Sequence, residues 1–464
     1  MPRNVSNTHV NSRSTSLLVF AVAAAIAAAG PEASAQTSTQ PSGALPSKGR
    51  QQLNLTVAST GGYDIDSPRA ASATTFLPGA DQAAGYSTMI ESGADYLFKG
   101  RRLQVRANGG SAQRYLRPLD TVLPSSFGSV NHSGAFNVSG RWSRTSLSLN
   151  QTALYTSSPL YSFFTQTAAA IPDATATPGV SAPAGDATPA SPVYGMNTFK
   201  ALSYGSSMML AHDVTRHTGV ALTADGQRQH AETASGSQSL NMYGAGVQVM
   251  HRIGRNTTAT ARYLYRISDV EYIALAANRR LTEQGVELGL EQRQPLSASR
   301  RLTISALAGA SSLLVPQLTP NIAGDRRYAQ FWGQMALNYE LSRRWRAAAN
   351  YRQGIEYLTG LTEPVFARSA SASTTGLITR RVDVAITAGY TTGKSALSLN
   401  NSVFDTYTGD IRLRYSPTRT FATYVQYLYY FYDSRGSLPL VPGMPSTLDR
   451  NSIRAGLVVR LPTL

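Results

Sequence analysis

The stretch 405–432 sets the tightest limit on what this chain can fold into. Ile411, Leu413 and Tyr415 alternate with Asp410, Arg412 and Arg414, the chain turns at Pro417-Thr418-Arg419, and it runs back with Tyr424, Tyr427, Tyr429 and Tyr430. A two-residue period on both sides of a tight turn predicts a β-hairpin with one apolar and one charged face. In water the apolar face would need a covering layer, and no second layer of amphipathic helices is visible in the sequence to supply it. A closed barrel in lipid needs no such cover, because its apolar face turns outward to hydrocarbon and its polar face lines a lumen.

The same unit recurs along the chain. A first strand at about 52–58 leads into a Gly/Ala/Pro/Asp loop that carries Asp64, Asp66 and Asp81 and ends near Gly85. Hairpins follow at 87–115, 132–155, 198–230, 238–269, 283–311, 328–358, 367–391 and 405–432, and a last strand lies at 451–461. A first strand, eight hairpins and a last strand predict an all-β, transmembrane, antiparallel up-and-down β-barrel of about 18 strands. Sixteen strands are also compatible with the pattern. Connections within the hairpins are short and those between them longer and richer in Gly, Pro, Ser and Asp, the asymmetry of periplasmic turns and outer loops.

The N-terminal residues read as a secretory signal peptide over 1–35: Arg3 and Arg13, an apolar run from Leu17 to Ala29, then Ala33-Ser34-Ala35 as a small-x-small cleavage site. That run is too short to span a bilayer as a helix. Residues 36–50, rich in Ser, Thr, Pro and Gln, predict a disordered periplasmic tail, too short for a plug domain. The barrel then occupies 51–464, with a long loop at about 156–197 that holds Tyr161, Phe163, Phe164 and an Ala/Pro/Thr tract. A loop of that length is functional or disordered, and in a porin-like barrel it can fold into the lumen as a constriction. With no cysteine an exported chain has no disulfide, which suits a barrel whose closed ladder satisfies its own backbone. The formal charge of +16 comes mostly from arginine, and export argues against nucleic acid as its partner.

The final strand separates the two faces most clearly. Ile453, Ala455, Leu457, Val459 and Leu461 share one, and Ser452, Arg454, Gly456, Val458 and Arg460 the other. A one-residue slip would aim Arg454 and Arg460 at hydrocarbon, at about 2 to 4 kcal/mol for a mid-bilayer arginine. The same parity gives the candidate lumen-lining set: Arg106, Arg262, Arg266, Glu287, Glu291, Arg293, Arg346, Arg352, Glu356, Asp383, Asp410, Arg412, Arg414, Arg454 and Arg460, with Glu91, Asp95 and Glu340 as further carboxylates. The simpler expectation is cross-strand ion pairing that keeps a wet interior rigid. The functional one is a mild preference for anionic or polyhydroxylated solutes, since arginine forks recognise carboxylate and phosphate. Tyr328, Trp332, Tyr424 and Tyr430 fall on the lumen face too, as sugar platforms or as rim packing.

Nearly every short turn carries arginine, among them Arg101, Arg102, Arg141, Arg144, Arg216, Arg255, Arg300, Arg343, Arg344, Arg380, Arg381 and Arg419. They predict solvated turns, or a positive ring that holds lipid phosphates or gathers anions. Trp142 and Trp345 beside them suit an interfacial girdle. The sequence offers no catalytic constellation, cofactor motif or metal-ligand spacing: the six histidines are scattered, and neither a Gly-x-Ser-x-Gly elbow nor a phosphate loop is present. His212, His217 and His251 could meet near the periplasmic rim, though ordinary surface histidines are the simpler reading. Asp64 and Asp66 are too few for calcium.

The closing segment 449–462, the basic short turns and the signal peptide together resemble bacterial outer-membrane proteins grouped as β-barrel porins, some of them linked to exopolysaccharide export. The chain ends in Leu461-Pro462-Thr463-Leu464, where such barrels often end in an aromatic residue. The resemblance implies an outer-membrane location, lipid and the barrel assembly machinery as partners, and passive passage or export of a polar, anionic or saccharide solute through a channel. A non-conducting structural or surface-interaction barrel is the alternative. An outer-membrane hydrolase would need a Ser/His/acid cluster at one rim.

Overall fold

The computed structural model describes residues 50–69, 83–118, 127–156, 200–233, 236–272, 277–297, 299–315, 326–342, 344–356, 365–395, 403–418, 420–435 and 447–462. They form eighteen β-strands. The first nine are β1 (Arg50–Arg69), β2 (Ala83–Lys99), β3 (Leu103–Pro118), β4 (Phe127–Arg141), β5 (Thr145–Thr156), β6 (Lys200–Asp213), β7 (Thr218–Thr233), β8 (Gly236–Arg252) and β9 (Thr257–Tyr272). The rest are β10 (Ala277–Ser297), β11 (Arg300–Val315), β12 (Arg326–Glu340), β13 (Trp345–Glu356), β14 (Val365–Leu377), β15 (Val382–Ser395), β16 (Val403–Tyr415), β17 (Phe421–Arg435) and β18 (Thr447–Pro462). Each strand pairs antiparallel with its neighbours in sequence, and β1 pairs with β18 as well as with β2, so the sheet closes into a barrel without an edge. The strand number is therefore 18, not 16. The hairpin of the stretch 405–432 is β16 and β17.

Register carries one face around the ring, with a shift between Pro295 and Ser297 where β10 meets β11 at the short-turn end. Arg454 stands opposite Gln426 and Gly62, Gln426 opposite Arg412, and Glu287 opposite Arg262, so the side chains of these rungs share the inner face. The other face holds the exposed large apolar residues, such as Ile453, Leu457, Val425, Ile411, Leu288 and Phe331. A belt of this kind in water would be an aggregation surface; in a bilayer it is the solvent match. Aromatics edge the belt at the long-loop end, where Tyr63 meets Tyr86 at 5.4 Å and Tyr390 meets Tyr407 at 4.8 Å between ring centroids.

At the short-turn end Trp142 and Trp345 lie on the outer face. Each covers a glycine, Gly140 and Gly376, where an added Cβ would collide with the indole. The turns themselves have local chemistry. The hydroxyl of Thr215 accepts from the N–H of His217 (3.1 Å) and Thr218 (2.9 Å), and Thr379 does the same for Arg381 (3.2 Å) and Val382 (3.1 Å). In both turns a threonine thus accepts the N–H groups two and three residues on, bonds that a two-stranded ladder leaves open there.

The structure corrects the extent of the first strand. Residues 59–69, expected in a loop, continue β1, so Asp64 and Asp66 are strand residues. Gly61 and Gly62 weaken strand propensity locally, but ladders to both β18 and β2 hold this segment. β1 also begins at Arg50, the last residue of the expected tail. The signal peptide, the rest of the tail, the long loop beyond Thr156, and Asp81, Arg343 and Arg419 lie outside the described residues.

Candidate functional site

The inner wall is the candidate site, and all fifteen residues singled out for it share the inward register. The wall is laced by ion pairs between neighbouring strands. Arg262 and Glu287 sit directly opposite each other on β9 and β10, the guanidinium gripping both carboxylate oxygens through Nε and, at 2.5 Å, Nη2. Arg266, two inward positions further up, reaches Glu283 on one side (3.4 Å) and Asp225 on the other (3.7 Å). The second contact crosses β8, and it does so over Gly244, where a Cβ would stand 2.5 Å from the Asp225 carboxylate. Arg414 holds Asp383 at 2.8 Å on the directly opposed position, and Arg293 holds Glu291 at 2.5 Å two residues along its own strand. Asp410 accepts from the Gln426 amide.

Other members of the set are placed differently. Arg454 belongs to a buried cluster at the seam of the barrel. Asp64 of β1, fully buried, accepts from Ser87 of β2 (2.7 Å), Arg114 of β3 (2.7 Å) and Arg454 of β18 (3.4 Å). One carboxylate thus ties four adjacent strands where the first and last meet. Sequence parity could have found Arg114, since it shares its face with Arg106; Asp64 was hidden by its glycine neighbours. Asp225 and Glu283 were likewise missed. Arg346 is exposed, opposite Glu340 and Thr375. Arg352 and Arg412 are half-buried beside Gln334 and Ala385, Arg460 is half-buried opposite Thr56, and Glu356 stands opposite Val365.

Two of the inward aromatics lie along the wall over glycines. Tyr424 is buried over Gly456 and Trp332 covers Gly309, each directly opposite its glycine. Tyr430 is also buried. Tyr424 and Tyr430, both buried, do not present an open stacking face. Towards the long-loop end the inner wall turns apolar: Leu240, Val270, Leu281 and Leu313 pack together with Tyr328. Across β4 to β6 it is uncharged and hydrophilic: Asn137 faces Asn150, and Asn150 faces Ser207. Asn108, Ser133, Thr152 and Ser207 are exposed although they point inward. His212 and His251 each meet a threonine hydroxyl at 3.0 Å, on Thr145 and Thr218, and face outward. Among the described residues no three His, Asp or Glu side chains gather as a metal-binding group.

Ring closure, an apolar outer belt with aromatic edges and a polar inner wall define the class: a transmembrane β-barrel of the bacterial outer-membrane type. No protein-family model matches the sequence, and no curated protein matches it. Among solved structures the chain is similar to Pseudomonas aeruginosa OccK7 (OpdD), at 10% identity and a TM-score of 0.43, over 89% of this chain and 99% of that one. It is also similar to OprD of the same organism (10%, TM-score 0.37, 89% and 96%) and to Acinetobacter baumannii OccAB4 (11%, 0.37, 89% and 98%). The barrel assignment rests on the strand pairing of this chain rather than on these likenesses.

Proposed function

We propose that this protein is an outer-membrane porin-like channel for passive passage or export of polar solutes, anionic or saccharide ones in particular. The observation that carries the reading is the exposure of inward-facing hydrophilic side chains, from Asn108 and Ser133 to Ser207 and Arg346, on a wall whose outer face is apolar. Water reaches these groups on the inside of a closed ring, the condition for a solute path. The preference for anions follows from the excess of inward arginine, and that for sugars from the Ser, Thr and Asn wall of β4 to β6. Export to the outer membrane through the signal peptide, insertion by the barrel assembly machinery and contact with outer-membrane lipid belong to the same proposal. Single-channel conductance of the refolded chain in planar bilayers, in salts that differ in anion size, tests it. Arg346 is the informative position, because Arg262 and Arg266 are already held by carboxylates. Open steps with anion preference that falls in Arg346→Gln support the channel; a folded barrel without open steps leaves a non-conducting scaffold.

A further inference from the structure

The arginines of this chain differ in what they touch according to where they stand. On the inner wall many are ion-paired, among them Arg106 with Asp95, Arg262 with Glu287 and Arg414 with Asp383, while Arg346 is exposed and makes no ion pair among the described residues. Two exposed arginines near the long-loop end are paired as well, Arg280 with Asp269 at 2.8 Å and Arg435 with Asp433 at 2.7 Å, although each is about 70% exposed along its side chain (70% and 69%), whereas Arg327 and Arg368 are exposed there and make no ion pair among the described residues. Exposure therefore does not by itself prevent pairing in this protein. At the short-turn end it is otherwise. The eight short connections and the residues that flank them carry eleven arginines and Lys99 among the described residues, against two carboxylates, Asp213 and Glu340. All twelve cations are exposed, and none makes an ion pair among the described residues.

Twelve like charges around one rim repel each other and weaken folding unless something of opposite sign lies against them. The outer face says where that partner is. Trp142 and Trp345 lie at the same level as the turns, pressed flat over Gly140 and Gly376, and an amphipathic ring on the outer face of a barrel marks the depth of the lipid headgroups. Lys99, Arg141 and Arg252 end their strands on the inward register, and the other nine arginines, eight within the turns and Arg300 on the outward register, sit beside headgroup phosphates. Arginine suits that partner, since its planar fork meets two phosphate oxygens at once and its apolar stem can lie along the lipid boundary. We infer that the short-turn rim is an anionic-lipid collar, binding the headgroup phosphates of the leaflet on that side and anchoring the barrel at a set depth. This inference is independent of whether the lumen conducts.

Native mass spectrometry of the refolded full chain, released from micelles that hold equal amounts of phosphatidylglycerol and phosphatidylcholine, tests it directly. Retained phosphatidylglycerol should exceed phosphatidylcholine by about fivefold or more, as expected for several arginines near an anionic surface. With Arg101, Arg102, Arg144, Arg216, Arg380 and Arg381 changed to Gln, the ratio should fall towards one while heat-modifiable migration shows that the barrel still folds. Two half-collar variants, Arg101/Arg102/Arg144→Gln and Arg344/Arg380/Arg381→Gln, should each lose part of the preference and carry the test if the sixfold variant does not fold. Equal retention of the two lipids by the wild type overturns the inference. So does a preference that survives in the folded variants, which would place the anionic contacts elsewhere.

Discussion

Tyr424 and Gly456 stand directly opposite each other on β17 and β18, and the tyrosine ring occupies the space that a side chain on the glycine would need. A Cβ at Gly456 would lie 2.7 Å from the ring, and the phenol continues past it to meet the Thr60 hydroxyl at 2.5 Å. The glycine lets a large aromatic residue on the inner face lie along the wall instead of across the lumen.

Gly456→Val is therefore expected to lift Tyr424 off the wall. The change should break the contact with Thr60, destabilise the fold by roughly 1 to 3 kcal/mol as an overpacked site, and reduce single-channel conductance if the lumen conducts. Gly456→Val/Tyr424→Ala should restore most of the conductance. Equal conductance in the single variant and the wild type would refute the role given to the glycine.

Asp64 is the acceptor that joins β18, β1, β2 and β3. Its removal leaves Arg114 and Arg454, both buried, without the carboxylate between them. Breaking one partner of a buried charge pair costs roughly 3 to 5 kcal/mol. Asp64→Ala should lower the urea midpoint of the refolded barrel and the temperature at which it loses its compact electrophoretic form. An unchanged midpoint for Asp64→Ala would show that the seam does not depend on this cluster.

The opposed pair Arg262 and Glu287 makes a measurable unit. A double-mutant cycle of Arg262→Gln and Glu287→Gln should give a coupling of about 0.5 to 3 kcal/mol by chemical denaturation, with the double variant more stable than the sum of the single losses implies. Additive losses would mean that the two side chains act separately.

The division between lipid and lumen can be tested on neighbouring residues. Leu457 is exposed on the outer face and Val458 points inward. Leu457→Arg should cost about 2 to 4 kcal/mol and impair refolding into vesicles, while Val458→Arg should refold with little loss. Equal refolding yields would contradict the assigned faces.

Much of this arrangement was legible along the chain. Alternation in 451–461 is strict enough that Arg454 and Leu457 could be placed on opposite faces from one strand alone, because a pleated strand allows only two directions and lipid accepts one kind of residue. The arginine-rich turns were legible as well, since their Thr, Ser, Gly and Pro residues have local reasons to reverse the chain. Asp64 was not. Gly61-Gly62 reads as a break, and only the ladders to β18 and β2, the former to a segment almost 400 residues away, make it a strand.

By itself the sequence determined the class of element, the face each strand gives to lipid, and the charge that gathers at the turns, because each depends on periods of a few residues and on the solvent that meets them. The tertiary structure alone decided which residue stands opposite which. That Glu287 meets Arg262, that Tyr424 finds Gly456, and that Asp64 reaches Arg114 and Arg454 all depend on the register between strands and on the closure of the ring. A period of two within a strand defines a face but not a height, and only pairing with both neighbours sets the height.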